Sequence, residues 1–137
     1  MQLISVYREN VPRAHELLFE LLQEREPHQN ISHRRMPTWQ EHCDFIRSVP
    51  YEAWYWFTSP AGFPAGCVYL SKQREIGVGV LKAHRGQGLA SQAIRELMRL
   101  HPGRFLANIA PGNEASIALF RKLGFGGPIQ ITLEKQC

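Results

Sequence analysis

Ala14, Leu17, Leu18, Leu21 and Leu22 recur at three- and four-residue spacing while Glu16, Glu20 and Glu24 stay off that stripe, which predicts an amphipathic helix running to about Arg25. Asn10 is its candidate cap and Pro12 falls in its first turn. Upstream, residues 2–7 alternate apolar and polar and read as a strand. The rhythm vanishes between Glu26 and Pro37, a polar, basic, histidine-rich loop. Thr38-Trp39-Gln40-Glu41 has the capping-box pattern and opens a second helix, with Phe45, Ile46 and Val49 on one face, that ends near Pro50.

From Glu52 the pattern becomes that of strands. Residues 54–58, 66–70 and 76–81 are rich in β-branched and aromatic residues and broken by turn residues, which predicts an antiparallel meander. A glycine loop follows, then a helix striped by Ala90, Ala93, Ile94 and Leu97, then a strand over 104–109, so a right-handed parallel crossover is expected. The last helix starts at Asn113 and shows Ser116, Leu119, Phe120 and Leu123 on one face. Gly124-Phe125 reads as a left-handed C-terminal cap, and residues 129–133 as a final strand. The expectation is one α/β domain over 1–137: a mixed central sheet with antiparallel N-terminal strands and a parallel crossover, flanked by about four helices.

Composition narrows the function without naming it. The 137 residues are 44% hydrophobic and 20% charged, ordinary for a globular domain. Apolar stretches fall short of the roughly 20 residues of a membrane span, and the start of the chain lacks the pattern of a secretory leader. Cys43, Cys67 and Cys137 are odd in number and far apart, which argues against a disulfide scaffold or a metal centre and fits a reducing cytoplasm. A formal charge of +4 favours anionic partners, but no Lys/Arg run points to nucleic acid.

The strongest local signal is Arg85-Gly86-Gln87-Gly88-Leu89-Ala90. A strand gives way to a helix across two glycines, so unpaired amides converge at a positive helix end. Arg85 and Lys82 add charge. An anion site and a ligand-free tight turn both fit this loop taken alone. A dinucleotide fingerprint lacks its third glycine, since residue 91 is Ser, and a P-loop lacks its Gly-Lys-Ser/Thr.

The loop resembles the Arg/Gln-x-x-Gly-x-Gly/Ala signature of the GCN5-related N-acetyltransferase family, and residues 113–125 resemble that family's second hallmark. The order of strands and helices agrees over nearly all of the chain. The resemblance implies acetyl-CoA as co-substrate, no metal, and transfer of acetyl to a primary amine. It implies that amides of Gln87, Gly88 and Ala90, within the loop from Arg85 through Gly86 and Leu89, hold the pyrophosphate. Val78, Gly79 and Val80 would pair with the pantetheine arm as an added strand. Asn113 and Ser116 would touch the arm or its diphosphate, Phe120 would stand beside the thiol, and Lys122 would approach the adenosine end. The family's sheet splits between the strand ending near Leu81 and that at 105–109, leaving a wedge for the thioester.

Direct transfer requires a base for the ammonium, stabilisation of the oxyanion and a fate for the thiolate. The Val80 amide is the oxyanion donor by resemblance. Glu75 is the candidate base, on the same side as Gly77 and Gly79, which would leave a path from its carboxylate to the thioester; an exposed strand-end carboxylate is the plainer reading. Phe120 stands where many family members carry a tyrosine as general acid, and it has no proton to give. Ser116 is a substitute donor. That departure keeps open a non-catalytic acyl-CoA-binding module. On the acceptor side, Arg34 and Arg35 suit an anionic acceptor such as a nucleotide-linked amino sugar, and Asn108 is a polar side chain near the wedge. Other small-molecule amines and peptide or protein amines stay open. Trp54 and Trp56 share one face and are read as core.

Overall fold

The computed structural model describes residues 1–8, 12–25 and 35–137. In chain order the elements are β1 (Ile4–Ser5), α1 (Pro12–Gln23), α2 (Trp39–Arg47), β2 (Ala53–Thr58), β3 (Pro64–Leu70), β4 (Ile76–Val80), α3 (Leu89–Leu100) and α4 (Glu114–Lys122), with a 3-10 turn at Lys82–His84. The strands form one antiparallel sheet in the order β1-β2-β3-β4. The meander expected of residues 54–81 is therefore present.

Strand periodicity sends alternate residues to opposite faces, and each face has its own core. One face carries Phe57, Val68, Leu70 and Ile76 against Leu89, Ala93, Ile94 and Leu97 of α3 and Phe120 of α4. The other carries Trp54, Trp56 and Cys67 against Ala14, Leu17 and Leu18 of α1 and Ile46 of α2. Both tryptophans are buried, as their shared face predicted.

Local signals acted where they were read. Thr38 accepts from the Glu41 amide while the Glu41 carboxylate accepts from the Thr38 amide, a complete capping box. Asn113 caps α4 by accepting from the Ser116 amide at 3.2 Å. Gly124 takes φ +95, and two bonds, Phe125 N to Phe120 O and Gly124 N to Arg121 O, both 3.0 Å, close a Schellman cap. The rings of Phe125 and Phe120 meet edge-on at 5.0 Å.

Three expected strands are reduced. Of residues 2–7, Ile4 and Ser5 form the strand, opposite Trp56 and Tyr55, and Val6 N adds one bond to Trp54 O at 2.9 Å. The stretch 104–109 contributes a single parallel bridge, Glu75 to Leu106, made by Ile76 N to Leu106 O at 2.8 Å and Leu106 N to Arg74 O at 2.9 Å. The parallel crossover is present, but pairing ends where it begins. Residues 129–133 form no strand, and Ile129, Ile131 and Leu133 are 70%, 76% and 89% exposed. Alternation makes a strand only where a neighbouring edge offers its hydrogen bonds, and none reaches this segment among the described residues. The cap read at Asn10 lies outside the described residues, as do His28, His33 and Arg34. No helix among the described residues is long and apolar enough to cross a membrane.

His42 ties α2 to α1. It is buried, and its Nε2 donates to the His15 carbonyl at 2.9 Å. Burial, chiefly, lowers both imidazoles below the ordinary histidine value, and their mutual repulsion lowers His15 further. The folded state thus holds both rings neutral while the unfolded chain takes up protons near pH 6.5. The stability they contribute is complete above that pH and falls as the pH drops below it. The melting temperature is expected to decline between pH 7 and pH 5, and a flat profile in His42→Gln would assign the decline to this contact.

Candidate functional site

Backbone parity along β4 decides what its free edge presents. Ser71 N bonds Glu75 O and Leu81 N bonds Ala65 O, both at 2.8 Å, so odd-numbered residues face β3. Ile76 N bonds Leu106 O, so even-numbered residues face the other way. Pairing on that side stops at the Glu75–Leu106 bridge, and the amides and carbonyls of Val78 and Val80 point into the opening beyond it. The Val80 carbonyl accepts from Arg85, and the rest of this half-buried edge is open to a pairing partner.

At the end of β4 the opening runs into a cleft of about 240 Å³ lined by Val80, His84, Arg85, Gly86, Gly88, Leu89, Ala90, Ser91, Leu119 and Lys122. Gly86 and Gly88 take φ +82 and +73, a left-handed backbone that glycine adopts without the Cβ penalty. Gly88 is the N-cap of α3 and has no side chain to satisfy the first amides of the helix. Those amides face the cleft at the positive end of a 12-residue helix, flanked by exposed Arg85 and Lys122. Arg85 is held in place by Nε to Val80 O at 3.2 Å, so its charge is fixed across the mouth of the loop. The arrangement suits a chain-like ligand with an anionic head in the cleft and an amide-bearing arm along the β4 edge.

The cleft lining gathers Val80, Arg85, Gly86, Gly88, Leu89 and Ala90, with Lys122 from α4; Val78 and Gly79 precede it along β4, and Gln87 is exposed between the two glycines but is not part of the lining. Asn113 and Ser116 stand at the start of α4, where the Asn113 side chain is occupied by its cap bond. Phe120 lies apart from the cleft lining, buried in the α3-side core. Asn108 is exposed on the segment that diverges from β4. Arg35 sits in a two-bond pair with Glu41 at 3.0 and 2.9 Å, which holds the Glu41 carboxyl down at about 2. Among the described residues no group of three His, Cys, Asp or Glu side chains is arranged to hold a metal.

Glu75 shares the face of Gly77 and Gly79, as its spacing indicated, but the open path past those glycines is not there. A Cβ on Gly77 would run into the ring and hydroxyl of Tyr69, which lie across it, and one on Gly79 would meet Leu21 at 3.5 Å. Tyr69 stacks on Tyr51 with centroids 4.0 Å apart and planes 9° apart, beside Trp54. Neither tyrosine was singled out from sequence. The signal was the hairpin register: counting outward from the Ser71–Glu75 turn places Tyr69 opposite Gly77. Burial pushes the neighbouring Cys67 thiol up to about 11, so it is inert as a nucleophile.

A family model described as the acetyltransferase (GNAT) family matches residues 15–125. No curated protein matches the sequence. Among solved structures, a putative GnaT-family acetyltransferase from Bordetella pertussis is 21% identical with a TM-score of 0.68, covering 98% of this chain and 94% of that one. A putative acetyltransferase from Salmonella typhimurium with its cofactor acetyl-CoA is 20% identical, TM-score 0.65, covering 91% and 79%. An aminoglycoside 6'-N-acetyltransferase from Acinetobacter haemolyticus is 15% identical, TM-score 0.68, covering 100% and 99%. At these identities the likeness is one of fold.

Proposed function

Because the chain belongs to the GNAT acetyltransferase family, we propose that it transfers the acetyl group of acetyl-CoA directly to a primary amine of a small molecule. The observation that carries this reading is the continuity of the open β4 edge with the amide-lined cleft at α3. The pyrophosphate sits on the amides of Gln87, Gly88, Leu89 and Ala90 with Arg85 alongside. The pantetheine arm takes the place of the missing strand against Val78, Gly79 and Val80. Lys122 answers the charge at the adenosine end, and Asn113 and Ser116 border the arm. The Val80 amide, aimed into the opening, receives the oxyanion that forms when the amine attacks the thioester carbon. Glu75 is the final proton acceptor, and the departing thiolate needs no strong acid near neutral pH.

The acceptor enters from the face of α1 and α2, where β4 presents glycines and the surrounding wall is aromatic. Arg35 is already paired with Glu41, so an acceptor bearing phosphates would rely on Arg34. An uncharged or cationic acceptor suits the described wall better, with Asn108 at the edge to orient it. A fold neighbour acting on an aminoglycoside places such amines in the first assay panel.

Acetyl-CoA at a hundred times its dissociation constant is expected to stabilise the protein by about 2.7 kcal/mol in thermal unfolding. Thiol release is then followed with kanamycin, spermidine and a peptide bearing a free N-terminal alanine. Acceleration by one of them establishes transfer. Binding of acetyl-CoA with no acceleration by any amine would leave an acyl-CoA-binding module, the alternative that Phe120 keeps in view.

A further inference from the structure

Trp54, Tyr69 and Gly77 form one cross-strand row, each directly opposite the next, on the face turned toward α1 and α2. Because Gly77 has no side chain, the Tyr69 ring leans across the strand gap of about 4.8 Å and rests on it. Its hydroxyl is thereby carried from β3 to the level of β4, the strand whose free edge lines the opening. It arrives at Gly77, one residue before Val78 and on the acceptor side.

The surroundings of that hydroxyl hold it in place and keep it protonated. Tyr51 stacks flat on the Tyr69 ring and holds it over Gly77. Tyr51 is fixed from behind, since its amide donates to the Tyr7 hydroxyl at 3.1 Å and its carbonyl accepts from that hydroxyl at 3.2 Å. The stack sets the two phenols side by side, and the Tyr69 hydroxyl has the capacity both to donate and to accept a proton. Burial, chiefly, keeps the Tyr69 phenol above the usual tyrosine range, hence protonated near neutral pH, and the Glu75 carboxylate pushes it the same way. A ring serving only to fill the space over Gly77 would need no hydroxyl.

We propose that Tyr69 is a catalytic residue interposed between Glu75 and the acceptor, relaying the proton of the attacking amine. The proposal rests on the acetyl-transfer reading and deepens it. As the neutral amine nitrogen bonds the acetyl carbon, its excess proton passes to the Tyr69 oxygen while Tyr69 gives its own proton to Glu75 or to a water beside it. The C–S bond breaks and its electron pair leaves on sulfur as the coenzyme thiolate. Tyr69 ends the step as the neutral phenol it began as, and the proton lost by nitrogen rests on Glu75 or water.

Tyr69→Phe keeps the ring over Gly77 and the stack on Tyr51 and removes only the hydroxyl. With the best amine of the panel, kcat is expected to fall about a hundredfold, while the acetyl-CoA dissociation constant and the acetyl-CoA thermal shift stay as in wild type. Replacing Tyr69 by 3-fluorotyrosine, which keeps the ring and the hydroxyl and makes the phenol more acidic, is expected to change kcat severalfold and leave the acetyl-CoA dissociation constant unchanged. A Tyr69→Phe protein with wild-type kcat overturns the relay and leaves acetyl transfer standing. Should Tyr69→Phe fail to fold, wild-type kcat with 3-fluorotyrosine at position 69 overturns the relay in its place. A wild-type protein that binds acetyl-CoA and releases no thiol with any amine overturns the transfer reading, and the relay with it.

Discussion

Gly88→Glu is expected to weaken acetyl-CoA binding about a thousandfold. A carboxylate brought to about 4 Å from a phosphate repels it by about 4 kcal/mol at an effective dielectric of 20, and three powers of ten in affinity correspond to about that energy. The backbone adds to this, since Gly88 sits at φ +73 and any Cβ there carries left-handed strain. Space is not the obstacle: the nearest atom to a Cβ on Gly88 is Nε2 of Gln92 at 4.0 Å, so the domain should still fold. Titration calorimetry with acetyl-CoA checks the affinity, and unfolding without ligand checks the fold. Affinity within threefold of wild type would remove the α3 cleft as the pyrophosphate site.

Phe57→Ala is the largest expected loss of stability, about 4–5 kcal/mol. Phe57 is fully buried, and its ring lies across Gly66, its partner on β3, much as Tyr69 lies across Gly77 on the opposite face. Truncating an aromatic over a glycine leaves a cavity floored by bare backbone, with no side chain opposite to move in, so the upper end of the usual range applies. Against a total stability of about 5–15 kcal/mol the variant should be marginal or unfolded at 37 °C. Urea denaturation measures the difference, and a loss below about 2 kcal/mol would mean the core relaxes around the gap.

The two aromatic-on-glycine pairs also mark the limit of what periodicity reveals. The alternation in residues 54–58 and 66–70 assigns each side chain to a face, but which face meets α3 and which meets α1 and α2 depends on the packing of segments far away in sequence. Reading Gly77 and Gly79 as empty space was sound one strand at a time and failed at Gly77 once the neighbouring strand was present. Glycine leaves room, and in a close-packed interior the nearest large side chain takes it.

By itself the sequence determined the elements governed by local interactions. The Thr38 box, the Asn113 cap, the Gly124-Phe125 stop and the left-handed glycines of the loop at 85–90 each act within five residues, where backbone geometry leaves few alternatives. The amide-lined cleft at the start of α3 was legible for the same reason, being backbone geometry set by two glycines. Tertiary structure decided everything that depends on a distant partner. It reduced residues 104–109 to one bridge and so opened the β4 edge, left residues 129–133 without a neighbour, sank Phe120 into the core, occupied Arg35 with Glu41, and laid Tyr69 across Gly77. A strand pair, a buried ring or an ion pair is a contact between two places, and one stretch of chain specifies only its own half of it.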